Sequence, residues 1–230
     1  MVWRPGNPRL DSGPPHMRRV CEPELLDALP CGHPDAQRSR RDLRLINRVM
    51  RNEAWFARTL PGLLRPGERV LELGSGTGEL GRRLIRQGVA LDGLDLWPRP
   101  REWPAKSLWH QADLRSFGGL GAYAAVIGNL VFHHLTGPEL GELGARLRQS
   151  ARVVLACEPA RRRASQRLVA ALGPLFGASR VTRHDARVSI AAGFAGDELA
   201  ASLGIAPDGW AAACTATALG AFRLVAVRSP

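Results

Sequence analysis

The stretch that decides the fold is Val70-Leu71-Glu72-Leu73-Gly74-Ser75-Gly76-Thr77-Gly78-Glu79-Leu80-Gly81. Val70, Leu71 and Leu73 form a short apolar run ending in glycines, the pattern of a strand buried on both faces. Pro66-Gly67 turns the chain into it. Leu80, Leu84 and Ile85 then recur at helical spacing, so a helix starts near Thr77 to Glu79. Strand, glycine turn and helix make a corner where a ligand can lie directly on main-chain N–H groups.

The glycines fit two registers. Gly76-x-Gly78-x-x-Gly81 matches the dinucleotide pattern. Glu72-x-Gly74-x-Gly76-x-Gly78 places an acid inside the strand end, two residues before the first glycine. This second register resembles motif I of the class I S-adenosylmethionine-dependent methyltransferases. Charge separates the two. A buried carboxylate repels a pyrophosphate, whereas it attracts the sulfonium and ammonium of S-adenosylmethionine. Gly74 also follows Leu73 directly, where the strand ends, while the dinucleotide match begins later, inside the turn.

Working outward, Val89 to Leu96 reads as a second strand ending in Asp95, 17 residues beyond Gly78. A carboxylate at that strand end can accept both ribose hydroxyls of either ligand. Leu108 to Leu114 reads as a third strand ending in Asp113. Tyr123 to Leu130 is a fourth, with Asn129 at its end and Val131-Phe132-His133-His134-Leu135 after it. Glu139 to Gln149 is a helix, Ala151 to Cys157 a fifth strand closed by Glu158-Pro159, and a helix near Ala160 to Leu172 follows. Trp210 to Thr217 and Phe222 to Val227, joined at Leu219-Gly220, read as an antiparallel hairpin.

The resemblance covers roughly residues 66–227. It implies an α/β fold: a Rossmann-like, doubly wound seven-stranded sheet, parallel but for one strand, with helices on both faces and the hairpin as its last two strands. It implies S-adenosylmethionine as cofactor and S-adenosylhomocysteine as product, held by Glu72, Gly74, Ser75, Gly76, Gly78, Asp95, Leu96, Asp113, Leu114 and Asn129. In that pattern Asp113 meets the adenine amino group, with Leu114 against the ring and Leu96 or Trp97 near the adenine. The segment after the fourth strand is similar to that of small-molecule methyltransferases of the quinone and natural-product type. The run at residues 34–43, with Leu-Ile-Asn-Arg after it, also looks like methyltransferases found beside type III polyketide synthases. Asn129 is not followed by Pro-Pro-Tyr or Pro-Pro-Phe, which disfavours amino-methylation of bases or glutamine.

Outside the core, residues 1–34 are expected to be an N-terminal arm, partly disordered, with a short helix over Glu22 to Leu29. Residues 35–64 are expected to form a helical cap, with Asp35 to Leu60 a single amphipathic helix. On it Leu43, Ile46 and Met50 share one face, and Arg40, Arg44, Arg48 and Arg51 lie near another. Trp55 and Phe56 read as core. The core then runs over 65–230 with an insertion at 173–196, and Asp197 could cap a helix to Leu203.

Composition narrows the function. The net charge is +11, but of 32 basic residues only Lys106 is a lysine, and the arginines are scattered. That reads as a solvated arginine-rich surface rather than a nucleic-acid track, so no specific nucleic-acid partner is expected. The four cysteines contain no Cys-x-x-Cys pair. His16, Cys21, Cys31 and His33 fit no common zinc spacing, and no metal is expected. Free thiols suit a reducing cytoplasm, and no signal peptide or membrane span is read.

The expected reaction is methyl transfer to a small-molecule acceptor, with O-methylation of a phenolic or polyketide-like hydroxyl as the lead. A hydroxyl acceptor needs a base near neutral pH, which suits histidine. His134, His133 and His184 are the candidates, with Asp185 able to orient a neighbour. Asn47 and Glu158 are the candidate acceptor contacts. The competing readings are an NAD(P)-dependent oxidoreductase, an RNA methyltransferase, and a binding protein that keeps the fold without catalysis. The first lacks a Tyr-x-x-x-Lys pair, since four residues beyond Tyr123 stands Ile127.

Overall fold

The computed structural model describes residues 17–30, 33–166, 179–205 and 209–229. Expectations for residues 1–16, for the end of the 160–172 helix, for the start of the 173–196 insertion and for His16 and Cys31 fall outside them.

The centre is a seven-stranded sheet: β1 (Val70–Leu73), β2 (Leu91–Asp95), β3 (Trp109–Gln111), β4 (Ala125–Asn129), β5 (Val153–Pro159), β6 (Trp210–Ala216) and β7 (Ala221–Arg228). Their order across the sheet is β3-β2-β1-β4-β5-β7-β6. Strands β1 to β5 pair in parallel and β7 is antiparallel to both β5 and β6. The doubly wound architecture with its C-terminal hairpin is therefore as read from the sequence. Strand β3 is shorter than expected, and Asp113 lies two residues past its end.

Alternate residues of each central strand enter opposite layers. Leu71, Leu73, Val126 and Val154 pack with Leu140, Leu143 and Leu147 of α4 (Gly137–Ser150) and with Leu199 and Leu203 at α6 (Glu198–Ser202). Val70, Leu91, Ile127 and Leu155 face the other way, against Phe56 and Leu60 of the α2 region (α2, Asn52–Thr59) and Leu80 and Leu84 of α3 (Glu79–Arg86). Burial on both faces is why these strands read as apolar runs without alternation.

Asp92 is the exception inside β2. It is fully buried, and its carboxylate accepts from Arg69 Nη2 at 2.5 and 2.7 Å, from the Leu108 N–H at 2.8 Å and from the Tyr123 hydroxyl at 3.0 Å. These bonds join β2 to the residues flanking β1, β3 and β4.

Four sequence expectations change. The single cap helix is two: α1 (Pro34–Met50) and α2, broken at Arg51, which sits at φ 57° and ψ 33°. No glycine or proline marks the break. Residues 22–29 form only a 3-10 turn, Leu26–Ala28. Residues 17–20 are extended and bonded to the domain: Val20 N–H donates to Ala191 O at 3.1 Å. Asp197 precedes α6 without a side-chain capping bond, whereas Glu198 accepts from the Ala195 N–H at 3.1 Å. The insertion is helical where described, as α5 (Arg180–Ala192).

Asp92 supplies a stability test. In Asp92→Ala the Arg69 guanidinium, the Tyr123 hydroxyl and the Leu108 N–H lose their common acceptor. Removing one member of such a network costs on the order of 3 kcal/mol. Urea denaturation should show a loss of that size, with the slope of the transition unchanged.

Candidate active site

The strand order reverses direction between β1 and β4. In open α/β sheets ligands bind at that switch, beyond the carboxyl ends of the strands. Here the two ends touch: a Cβ added to Gly74, after β1, would lie 2.6 Å from a methyl of Val131, after β4. Gly74 (φ 62°), Gly76 (φ 53°) and Gly78 (φ 73°) are all in the left-handed region that glycine adopts without strain. Nothing lies within 4 Å of the position a Gly76 Cβ would take, so the middle of the turn is open.

Asp95, at the end of β2, reaches across to this turn. Its Oδ2 accepts from the Gly76 N–H at 2.7 Å and its Oδ1 from the Trp97 N–H at 2.9 Å. Leu96 is 62% and Trp97 37% exposed, two apolar side chains beside the acid. Asp113 stands one strand further out, half-buried, with its carboxylate gripped by the Arg115 guanidinium at 3.0 and 3.1 Å. Burial raises its pKa, but the Arg115 bonds outweigh that and hold it below the usual range. Leu114 is half-buried against the core.

Glu72 does not line the open turn. It is buried under it, on the sheet face that α3 covers, and a Cβ on Gly81 would stand 2.6 Å from its Oε2. Gly81, the last glycine of the dinucleotide pattern, is therefore required for the helix to pack on Glu72 and Trp103. Burial pushes the Glu72 carboxyl up to about 8, against the opposing pull of Ser75, with the nearby charges of Asp95 and Glu53 adding to the rise. Its Oε2 has no hydrogen-bond partner. Ser75 itself is buried, donating its hydroxyl to Glu72 O at 3.0 Å.

The cap closes over this corner. Arg40 of α1 lies 5.2 Å above the Trp97 ring, and Arg44 pairs with Glu79 at 3.5 Å. These two arginines, expected to be merely solvated, touch the site. Below them three amides converge. Asn52 donates to Asn47 at 2.9 Å and to Asn129 at 3.1 Å, and Asn129 donates to Asn47 at 3.2 Å. Asn52 Oδ1 is buried without a partner. Nothing local marks Asn52; only the break at Arg51 turns it inward.

On the β4–β5 side the chain makes an unusual turn. Leu130 has φ 58°, a left-handed conformation in a non-glycine residue. It aims three successive amides at one buried carboxylate. The Val131 and Phe132 N–H groups donate to Glu158 Oε1 at 3.0 Å each, and the His133 N–H to Oε2 at 3.3 Å. The His133 ring adds Nδ1 at 2.6 Å. Glu158, expected to contact the acceptor, is fully buried and its oxygens are taken up by this turn. It shapes the site from behind.

The histidines separate by environment. His133 is buried between Glu158 and Glu24, its Nε2 3.4 Å from Glu24 Oε1. Burial would lower its pKa, but the two carboxylates dominate and raise it to about 9. His134 is exposed, with its ring centroid 4.2 Å from that of His133. His184 is also exposed, its Nδ1 3.1 Å from Asp185. Asp185 is turned away, accepting from the Leu25 and Leu26 N–H groups at 2.8 and 3.0 Å. It fastens the N-terminal segment to α5. Arg19 ties the same segment to the β4 turn, donating to Leu135 O at 2.8 Å and His133 O at 3.2 Å. Glu24 and Arg19 were not singled out in the sequence, because nothing local marks them.

No protein-family model and no curated protein sequence matches the chain. Solved structures do. The plantazolicin methyltransferase BpumL in complex with SAH aligns with a TM-score of 0.68 at 10% identity, covering 89% of this chain and 93% of that one. Magnesium protoporphyrin IX methyltransferase (ChlM) from Synechocystis PCC 6803, with bound SAH, aligns at 0.51 and 22% identity over 80% and 83%. A chain solved for the conversion of a disulfide bond into a thioacetal group during echinomycin biosynthesis aligns at 0.55 and 20% identity over 76% and 80%. At these identities the likeness is one of fold: the chain has the architecture of the class I S-adenosylmethionine-dependent methyltransferases.

Proposed function

We propose that the protein is an S-adenosylmethionine-dependent methyltransferase acting on a small-molecule acceptor, with O-methylation of a phenolic or polyketide-like hydroxyl as the reaction. The observation that carries this reading is Asp95 docked on the open glycine turn at the β1/β4 switch. That acid sits where a ribose diol is received, beside exposed apolar side chains suited to a purine. The fold neighbours crystallised with SAH support the same choice of cofactor.

The cofactor supplies a methyl group already activated on a sulfonium. The chain's work is then to hold, orient and exclude water. Asp95 receives the ribose hydroxyls, Leu96 and Trp97 flank the adenine, and Asp113 with Leu114 closes its far side. The turn from Gly74 to Gly78 lets the backbone approach closely. Asn47, Asn52 and Asn129 form the floor beneath the amino-acid end, where the unpaired Asn52 oxygen suits an ammonium. Glu72 acts from underneath, setting the turn against α3, rather than by direct contact. On the acceptor side His133 is buried between Glu158 and Glu24, with both ring nitrogens facing carboxylates rather than the acceptor. His134 is the exposed imidazole that addresses the acceptor hydroxyl, with His184 a second candidate. With no membrane-length apolar helix among the described residues and Cys21, Cys157 and Cys214 free thiols, a cytoplasmic setting belongs to the same proposal.

Calorimetry tests the cofactor half. S-adenosylhomocysteine should bind saturably, and Asp95→Ala should lose about 1.5–3 kcal/mol, the range for a hydrogen bond to a charged acceptor. Saturable binding of NAD in its place would select the oxidoreductase reading.

Glu72 gives a pH test of the ligand-free protein. A carboxyl raised from 4.5 to about 8 contributes stability that is fully present below pH 4.5 and is lost as pH rises through about 8. Glu72→Gln removes the group that must ionise. Denaturation at pH 5 and at pH 8.5 should therefore show a smaller loss of stability with pH in Glu72→Gln than in the wild type. Equal losses would mean that Glu72 ionises in the fold as it does in water.

A further inference from the structure

We propose that Glu24, His133 and His134 form a binding site for a single first-row divalent transition-metal ion at the acceptor edge of the cleft. Each of the three offers one ligand atom, and these atoms lie within 4.8 Å of one another. His133 Nε2 and Glu24 Oε1 already stand 3.4 Å apart. That is the spacing of two ligands on one ion with bonds of about 2.1 Å. His134 is the exposed member of the set.

Three features mark the cluster as a metal site rather than a chance meeting of polar groups. The first is the donor set. Two imidazoles and one carboxylate on one side of an ion leave positions open, the arrangement that suits metals binding a further ligand. The second is the support behind it. A ligating histidine characteristically donates its other ring N–H to a carboxylate, which fixes the tautomer and the ring plane. His133 does this to Glu158 at 2.6 Å, and Glu158 is itself pinned by three backbone amides. The Nε2 is thereby directed at Glu24. The third is charge. Two buried carboxylates, Glu24 and Glu158, flank the one His133 ring, so a cation between Nε2 and Glu24 would meet an anionic ligand and an anionic support. Arg19, the nearest cation, spends its hydrogen bonds on the carbonyls of His133, Leu135 and Ala192 rather than on either carboxylate. Ser189 also donates to Glu24 and orients its carboxylate.

The ligands come from separate parts of the chain. Glu24 lies on the N-terminal segment and the histidines follow β4, so an ion would bind that segment to the domain. Its open face would lie on the side of the exposed His134. The role in catalysis rests on the methyltransferase reading: an ion there lowers the pKa of an acceptor hydroxyl it coordinates. His134 would then act through the ion and not as a base. Metal binding itself is independent of that reading.

Titration of the metal-free full-length protein with Co2+ alone and with Zn2+ alone provides the test, read by the visible absorption of bound cobalt and by calorimetry. One equivalent should bind, with nitrogen and oxygen ligands visible in the cobalt spectrum. His134→Ala, an exposed position that leaves folding intact, should weaken binding at least tenfold, and Glu24→Gln should do the same. Glu158→Gln should weaken it 10- to 100-fold through the orientation of His133. His184→Ala should leave it unchanged. Absence of stoichiometric binding to the wild type overturns the proposal. So does binding that survives in His134→Ala or disappears in His184→Ala. Cobalt binding in a protein that fails to bind S-adenosylhomocysteine would leave the metal site standing and remove the methyltransferase reading instead.

Discussion

Much of the turn after β4 depends on one buried carboxylate. Glu158 ends a strand buried on both faces, where a lone negative charge would be forbidding. It is tolerated because the next loop bends three N–H groups onto it, and that bend requires Leu130 to adopt a left-handed conformation. Such strain costs of order 1–3 kcal/mol and persists only where the surroundings over-determine it. The carboxylate is what over-determines it here. In return the loop presents His133 inward and His134 outward, and the N-terminal segment docks on the result.

The cofactor side is organised differently. There the acid that touches the glycine turn is half-buried, and the acid within the strand is hidden. Asp95 and Glu72 thus divide the labour that motif-level reading gives to both. One bonds to the glycine turn, and the other holds the turn on α3. The environment sets the division: Asp95 keeps two backbone donors, whereas Glu72 is left with an oxygen that no group satisfies.

The sheet was legible in the sequence because its signals are local. A strand buried on both faces must be apolar, and the glycines at its end must be glycines; Val70 to Gly78 and the closing hairpin carry both marks. The strand-end acids were legible by position for the same reason. What escaped was decided at long range. The break at Arg51 has no breaker residue, and it is made worthwhile by Asn52 meeting Asn129, 77 positions away. Asp92 reads as a polar flaw in a strand until Arg69 and Tyr123 arrive to pair with it. Glu24 lies in a stretch that looks like an arm, and only the fold brings it to His133. Glu158 was read as an acceptor contact, since no local pattern announces that a loop will consume it.

The two halves of the covering layer are joined to each other. Asp42 of α1 accepts from the Thr182 hydroxyl of α5 at 2.7 Å, and the Ser39 hydroxyl of α1 lies 3.3 Å from the same Thr182 oxygen. The helix that reaches the glycine corner is therefore bolted to the helix that holds the N-terminal segment. By contrast, α1 meets the glycine corner through contacts at the surface, which are individually weak. Loss of Asp42 or of Thr182 would therefore loosen both helices at once, although neither residue is part of the glycine corner.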